Sequence, residues 1–325
     1  MKFKHLAALA VLAVAATGVQ AAQRNCTYKL TSRIQYATGL LEQNVQEPLL
    51  LDAYIPDVCD GAPAGVVQPV LIVPGGGFNW VERDRPKIVQ IADGLARAGF
   101  AAFPIEHRVK VWNGLAAVSE TMDAAQLKAY QASLKKSPYP GDQHFNALIA
   151  MEDTMKAKAW IASQAGVYNL DMNQFAFLGG SSGACTVLGA SYTWDDIGES
   201  SPPPNPQAVV DMWGDFYPHF DMEAGEAPIL ILAGTADPVI DYNLTTDIMK
   251  RAKAVRVDSS RVTMPGVKHG LDDADIFNRH ILGTNLTIFE GIVQFLEARL
   301  RPGAGSVWPP VGQTREMTSE DYQLP

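Results

Sequence analysis

Residues 174–192 read QFAFLGGSSGACTVLGASY. Gln174 to Leu178 has the form of a buried strand, a short and largely apolar run. Gly179-Gly180-Ser181-Ser182-Gly183 follows at once, and Ala184 to Tyr192 reads as a helix of small residues. Strand, Gly-x-Ser-x-Gly and helix, in that order, form the setting of a nucleophile elbow, a strained turn that lifts a serine hydroxyl off the carboxyl end of a sheet. Side chains at the flanking glycines would strike the neighbouring strand and helix. The helix N-terminus beneath the serine favours developing negative charge. Ordinary Gly and Ser usage gives about 0.1 such matches by chance in a chain this long, so the setting carries the reading rather than the motif. The bland alternative is a Gly/Ser loop with no chemistry.

Working outward, the same grammar repeats. Leu49 to Pro56 is a strand closed by proline, and Val70 to Val73 is a short apolar run of the kind buried on both faces. Pro74-Gly75-Gly76-Gly77-Phe78 follows it. Residues 86–98 carry apolar positions at helical spacing and stop at Gly99. Phe100 to Ile105, Ala208 to Trp213, Pro228 to Ala233 and Arg261 to Met264 are further strands. Phe145 to Gln164, Leu244 to Ala254 and Asn285 to Leu300 are helices. Leu115 to Leu134 reads as a polar-rich amphipathic helix, broken by Ser137-Pro138-Tyr139-Pro140-Gly141. Residues 110–143 are thus either a small helical cap inserted over the sheet or a plain surface helix. Short buried strands alternating with helices predict an α/β fold, a mostly parallel central sheet with helices on both faces and right-handed crossovers. No internal repeat or linker divides the chain, so residues 22–301 are expected to be one domain. The Pro/Gly-rich tail at 302–325 is expected to pack poorly.

Composition narrows the class. The 325 residues are 47% hydrophobic and 19% charged, a globular balance that excludes a disordered or fibrous chain. The net charge of −9 argues against nucleic acid as a partner, since phosphate contacts need clustered Lys and Arg and the densest spot is only Lys135-Lys136. An acidic surface suits neutral small molecules or polymers.

The first residues read as an address. Lys2 and Lys4 precede the apolar run Leu6 to Ala16, and Val19-Gln20-Ala21 fits small-x-Ala cleavage, giving a signal peptide over 1–21. The alternative, an anchoring helix, would be short for a bilayer. Cleavage removes two lysines and no acid, so the mature charge becomes −9 − 2 = −11. A periplasmic or secreted protein can keep a disulfide, and Cys26 with Cys59 is the plausible pair, two free thiols being the alternative. Cys185 reads as a packed thiol.

A serine nucleophile needs a base and an acid to orient it. His269, in Lys268-His269-Gly270 after a short strand, sits on a late loop that can reach the carboxyl edge of the sheet; His219 is the second choice, and His107 reads as structural or substrate-facing. Asp237 lies on the turn past the strand Ile229 to Ala233, with Asp215 as runner-up. The order Ser181, Asp237, His269 is the one the elbow demands. Gly76 and Gly77 can aim N–H groups at an oxyanion, with the Ser182 N–H as partner. No phosphate-loop motif and no metal-ligand spacing is present, although His269-Gly-Leu-Asp272-Asp273 is a weak cation candidate; no cofactor or metal is implied. Phe78, Trp213, Phe216 and Tyr217 are candidate substrate contacts.

Together these residues resemble the α/β-hydrolase superfamily, and within it the carboxylesterases of the hormone-sensitive-lipase and acetylxylan- or feruloyl-esterase type. The resemblance runs from about Leu49 to Leu300 and is carried by Leu51-Asp52-Ala53-Tyr54-Ile55-Pro56, the glycine run, Glu106-His107-Arg108-Val109, Asp153 with Trp160, the elbow, Gly234-Thr235-Ala236-Asp237 and Lys268-His269-Gly270. It implies Ser181 as nucleophile, Asp237 as acid, His269 as base, oxyanion donors at Gly76, Gly77 and Ser182, and a structural Asp153. Two departures stand out. Pro74 replaces the usual histidine before the glycines, so the Phe78 N–H can stand in for Gly76, and His107-Arg108 replaces the usual Tyr-Arg. The proline resembles some polysaccharide acetyl-esterases.

The expected activity is a secreted serine esterase, acting on small-molecule or polysaccharide-linked esters, among them acyl groups on sugars or phenolics. It works through an acyl-enzyme and gains activity with pH as His269 loses its proton. A peptidase or amidase of the same fold is the first alternative, although only about 27 mature residues precede Leu49 to screen substrates. A non-catalytic binder of hydrolase fold is the second.

Overall fold

A computed structural model describes residues 24–123, 125, 141–196, 205–215, 221–302 and 315–320, without the side chains of 141–144, 315 and 320. The expected leader at 1–21 and, of the helix expected over 115–134, residues 124 and 126–134 lie outside the described residues.

Thirteen strands are described: β1 (Cys26–Leu41), β2 (Val45–Cys59), β3 (Ala62–Pro63), β4 (Pro69–Val73), β5 (Ala101–Pro104), β6 (Val111–Trp112), β7 (Leu115–Ala116), β8 (Ala176–Gly180), β9 (Ala208–Met212), β10 (Ile229–Gly234), β11 (Ser259–Met264), β12 (His280–Ile281) and β13 (Arg315–Glu320). The helices are α1 (Pro86–Arg97), α2 (Gly141–Ser163), α3 (Ala165–Tyr168), α4 (Ser182–Tyr192), α5 (Tyr242–Val255), α6 (Leu271–Ala274) and α7 (Ile288–Leu300). Eleven strands form one sheet in the order β1-β2-β5-β4-β8-β9-β10-β11-β13-β12, with β3 on β2. From β5 to β13 every neighbour is parallel. The expected α/β architecture is therefore observed.

Side-chain alternation explains the two-faced core. In β8, Phe177 points to the face covered by α2, α4 and α5, while Ala176 and Leu178 point to the face covered by α1 and α7. Both sets are fully buried, which is why these strands are apolar throughout. Helix α7 begins with a reciprocal capping box between Thr287 and Glu290.

Three segments differ from the sequence reading. Leu115 does not start a helix: β6 and β7 form a hairpin around Asn113-Gly114, both at positive φ (53° and 85°), the Asn-Gly turn that twists correctly for paired strands. Strand β1 is exposed along half of its length and lacks a clean alternation, so nothing in its pattern announces it; it is held as the antiparallel partner of β2. In the tail, residues 315–320 are packed as β13, parallel to β11, with Glu316 paired to Arg261 at 2.9 Å. Cys26 and Cys59 form a disulfide between register partners of β1 and β2.

Candidate active site

The parallel strands bring several connections to one edge of the sheet. Ser181 lies between β8 and α4 with φ 54° and ψ −126°, a conformation that costs an L-residue energy and persists only when its surroundings impose it. The surroundings do so. The Ser181 N–H donates to the Met212 carbonyl at 2.9 Å. A Cβ on Gly183 would stand 2.0 Å from the Val73 carbonyl oxygen, and one on Gly179 2.3 Å from that of Gly183. Only glycines allow the elbow to nest against β4 and α4.

Asp237 follows β10 and His269 follows β11. Ser181 Oγ and His269 Nε2 are 2.7 Å apart, and His269 Nδ1 and Asp237 Oδ2 are also 2.7 Å apart. The carboxylate can only accept, so Nδ1 carries the hydrogen and Nε2 presents its lone pair to the serine hydroxyl. The other Asp237 oxygen accepts from the Val239 and Ile240 N–H groups at 2.8 and 2.9 Å, which fixes the acid in place. The Asp237 side chain is buried and that of His269 is 18% exposed, open enough to meet a substrate.

The runners-up fall elsewhere. The Asp215 N–H contacts Cys185 Sγ at 3.5 Å, away from His269. Burial pushes the Cys185 thiol up to about 12, consistent with a packed thiol. His107 is buried with Nδ1 2.9 Å from the Arg108 carbonyl oxygen, and burial lowers its pKa. Asp153 holds the backbone and guanidinium of buried Arg108 at 2.7–3.1 Å, a structural role. His219, Phe216 and Tyr217 lie outside the described residues.

The glycine run borders the same spot, with one difference from expectation. The Gly76 N–H donates to Ser182 Oγ at 3.0 Å and so is already engaged. Ser182 opens α4, where an N–H has no acceptor within the helix. A cavity of about 400 Å³ opens beside Ser181 and His269 and is walled by Trp80, Arg85, Ile88, Trp213, Val239 and Leu271. Trp213 takes its expected place; Phe78 is instead buried away from this lining, at φ 59°. Trp80 and Arg85 were not legible as wall residues. The only hint was their position between the glycine run and Pro86 at the start of α1, a stretch too short to leave the mouth of the site. Among the described residues no group of three or more His, Cys, Asp or Glu is placed to hold a metal, Asp272 and Asp273 included.

Solved structures share this architecture. An esterase from the Planctomycetes species Thermogutta terrifontis, solved with propionate bound, superposes with TM-score 0.56 at 17% identity, covering 85% of this chain and 96% of its own. A truncated carbohydrate esterase from gut microbiota gives TM-score 0.56 at 18% identity over 86% and 98%. MGS-M1, an α/β hydrolase from a Medee basin deep-sea metagenome library, gives 0.55 at 14% over 84% and 98%. The fold is that of an α/β hydrolase. Identities this low carry the α/β-hydrolase fold and not the reaction. No protein-family model and no curated protein matches the sequence. Among the described residues, no helix is long and apolar enough to cross a membrane.

Proposed function

We propose that the chain is a serine carboxylic-ester hydrolase, and the observation that carries this is the continuous Ser181–His269–Asp237 chain of 2.7 Å contacts at the mouth of a cavity. In this reading His269 Nε2 takes the Ser181 proton as Oγ attacks the ester carbonyl carbon. The C–O bond to the alcohol breaks, and His269 returns the proton to the leaving alkoxide. Water then attacks the acyl-enzyme with His269 again as base, releasing the acid and restoring Ser181. Asp237 fixes the tautomer and stabilises the imidazolium. The Ser182 N–H and the Gly77 or Phe78 N–H receive the oxyanion, since the Gly76 N–H is committed to Ser182 Oγ. No step calls for a cofactor.

Esterases among the structurally similar proteins, one of them a carbohydrate esterase, support an ester substrate. Trp80 and Trp213 on the cavity wall support a planar or sugar-bearing ester. The leader at 1–21, removed to leave the domain 22–301 and its tail, and the Cys26–Cys59 disulfide support export to an oxidising compartment.

The test is hydrolysis of p-nitrophenyl acetate, butyrate and octanoate by the purified protein beside Ser181→Ala. Turnover abolished in the variant is expected, and the chain-length preference sizes the acyl side. Equal inertness of both on all three esters would defeat the proposal, and faster cleavage of the matching anilides would move it to an amidase.

A further inference from the structure

The loop from Pro74 to Arg85 carries the glycine run at one end and two arginines at the other. Arg85 reaches Asp272 at 3.2 Å, with side chains 36% and 71% exposed, so water screens that pair and it constrains little. Arg83 is different. Its side chain is 4% exposed, Nε donates to Asp52 Oδ1 at 3.0 Å, and Nη1 donates to Glu106.

Both acids are fixed by the sheet. Asp52 lies in β2, and its Oδ1 also accepts the Arg33 N–H at 2.7 Å. Glu106 follows β5, and its own N–H donates to the Leu50 carbonyl at 2.7 Å. Arg83 is thus the point at which the loop is bolted to the sheet. At the other end the Gly76 N–H meets Ser182 Oγ, and midway the Lys110 N–H donates to the Phe78 carbonyl at 2.8 Å. Arg83 does not line the cavity and touches no reacting atom.

We propose that Arg83 is a positioning residue for the oxyanion-binding loop: its buried pairing to Asp52 and Glu106 sets the distance between the loop's N–H donors and Ser181. The proposal rests on the esterase reading above. A donor must stand about 2.7–3.1 Å from the oxyanion of the transition state, so slack in the loop costs turnover rather than substrate binding. The same contacts give a role to Asp52 and Glu106, two residues of the sequence signature that the catalytic chain leaves unused.

The test uses the full chain as wild type, Arg83→Gln, Arg83→Lys and Glu106→Gln, with p-nitrophenyl acetate as substrate and an alkyl trifluoromethyl ketone as mimic of the tetrahedral adduct. Arg83→Gln is expected to lower kcat by about 10²-fold with KM within about threefold, and to weaken ketone binding by a similar factor. Arg83→Lys should recover part of both, since it keeps the charge and loses the fork. Glu106→Gln, which spares the Asp52 contact, should show the same pattern more mildly. A folded Arg83→Gln with wild-type kcat, a loss confined to KM, or unchanged ketone affinity would overturn the proposal. Should Arg83→Gln fail to fold, unchanged kcat and ketone affinity in both other variants would overturn it. An active wild type beside equally active variants sinks the positioning role alone; a wild type inert on every ester sinks the esterase reading with it.

Discussion

The Gly76 N–H donates to Ser182 Oγ at 3.0 Å, so the residue after the elbow serine grips the glycine loop with its side chain. Removing that oxygen frees the loop at its inner end and takes the partner from a part-buried N–H. Ser182→Ala is expected to cost about 1 kcal/mol of stability. It should also lower kcat by roughly tenfold, a milder loss than removal of an oxyanion donor itself. Thermal melts beside steady-state kinetics check both, and an unchanged kcat would show that the grip has no catalytic value.

Asp237 accepts from Val239 and Ile240 as well as from His269. An amide in its place keeps the shape but can offer its NH₂ to Nδ1, which favours the tautomer with hydrogen on Nε2. That tautomer cannot take the serine proton. Asp237→Asn should therefore lower kcat on the order of 10⁴-fold with little change in KM. A loss below tenfold would mean that another acid orients His269.

Stability should depend on pH through buried carboxyls. Asp211 in β9 is fully buried, and burial pushes its carboxyl up to about 7, while burial raises half-buried Asp221 to about 6 and Glu226 to about 7. The folded state then holds these protons more tightly than the unfolded chain, where Asp and Glu titrate near 4. Their contribution to stability is full below the unfolded value and is lost as pH rises from about 4 to about 7. Asp211→Asn stays neutral throughout, so it should flatten the fall by about 2–4 kcal/mol. Thermal melts from pH 4 to 8 measure it, and parallel curves for wild type and variant would contradict it.

The disulfide ties residues separated by 33 positions at the open end of the β1–β2 pair. Limiting the unfolded chain in this way is worth about 3–4 kcal/mol. Cys26→Ser with Cys59→Ser should lower the denaturant midpoint accordingly and leave kcat/KM on p-nitrophenyl acetate unchanged. A midpoint equal to that of wild type would show that the hairpin holds without the bond.

What the sequence announced was local. Val70 to Val73, Phe177 and the strand before Asp237 are apolar because they are buried on both faces, and the glycines at 179 and 183 mark a place where only hydrogen fits. Ser181 and Asp237 each follow such a strand and His269 follows the next strand in the chain, the more polar β11, so element order paired them. What it concealed depends on distant partners. Arg83 reads as one charge among Glu82, Asp84 and Arg85 until the sheet brings Asp52 and Glu106 to it. Strand β13 follows a Pro/Gly-rich stretch and exists because β11 offers an open edge and Arg261 meets Glu316. The Gly76 contact was hidden for the same reason, since it depends on where a serine 106 residues away turns its hydroxyl. The Asn113-Gly114 hairpin was a signal within reach, overridden by the apolar spacing that follows it.

The central claim is that Ser181 is the nucleophile. Paraoxon transfers a diethylphosphoryl group to a serine hydroxyl activated by a neighbouring base and releases p-nitrophenolate, which makes it a direct probe. Purified protein incubated with paraoxon and mapped by peptide mass spectrometry should carry one diethylphosphoryl group on Ser181. The label should form far more slowly in His269→Ala and be missing in Ser181→Ala. A label on another residue, or none while the protein still cleaves esters, would contradict the account.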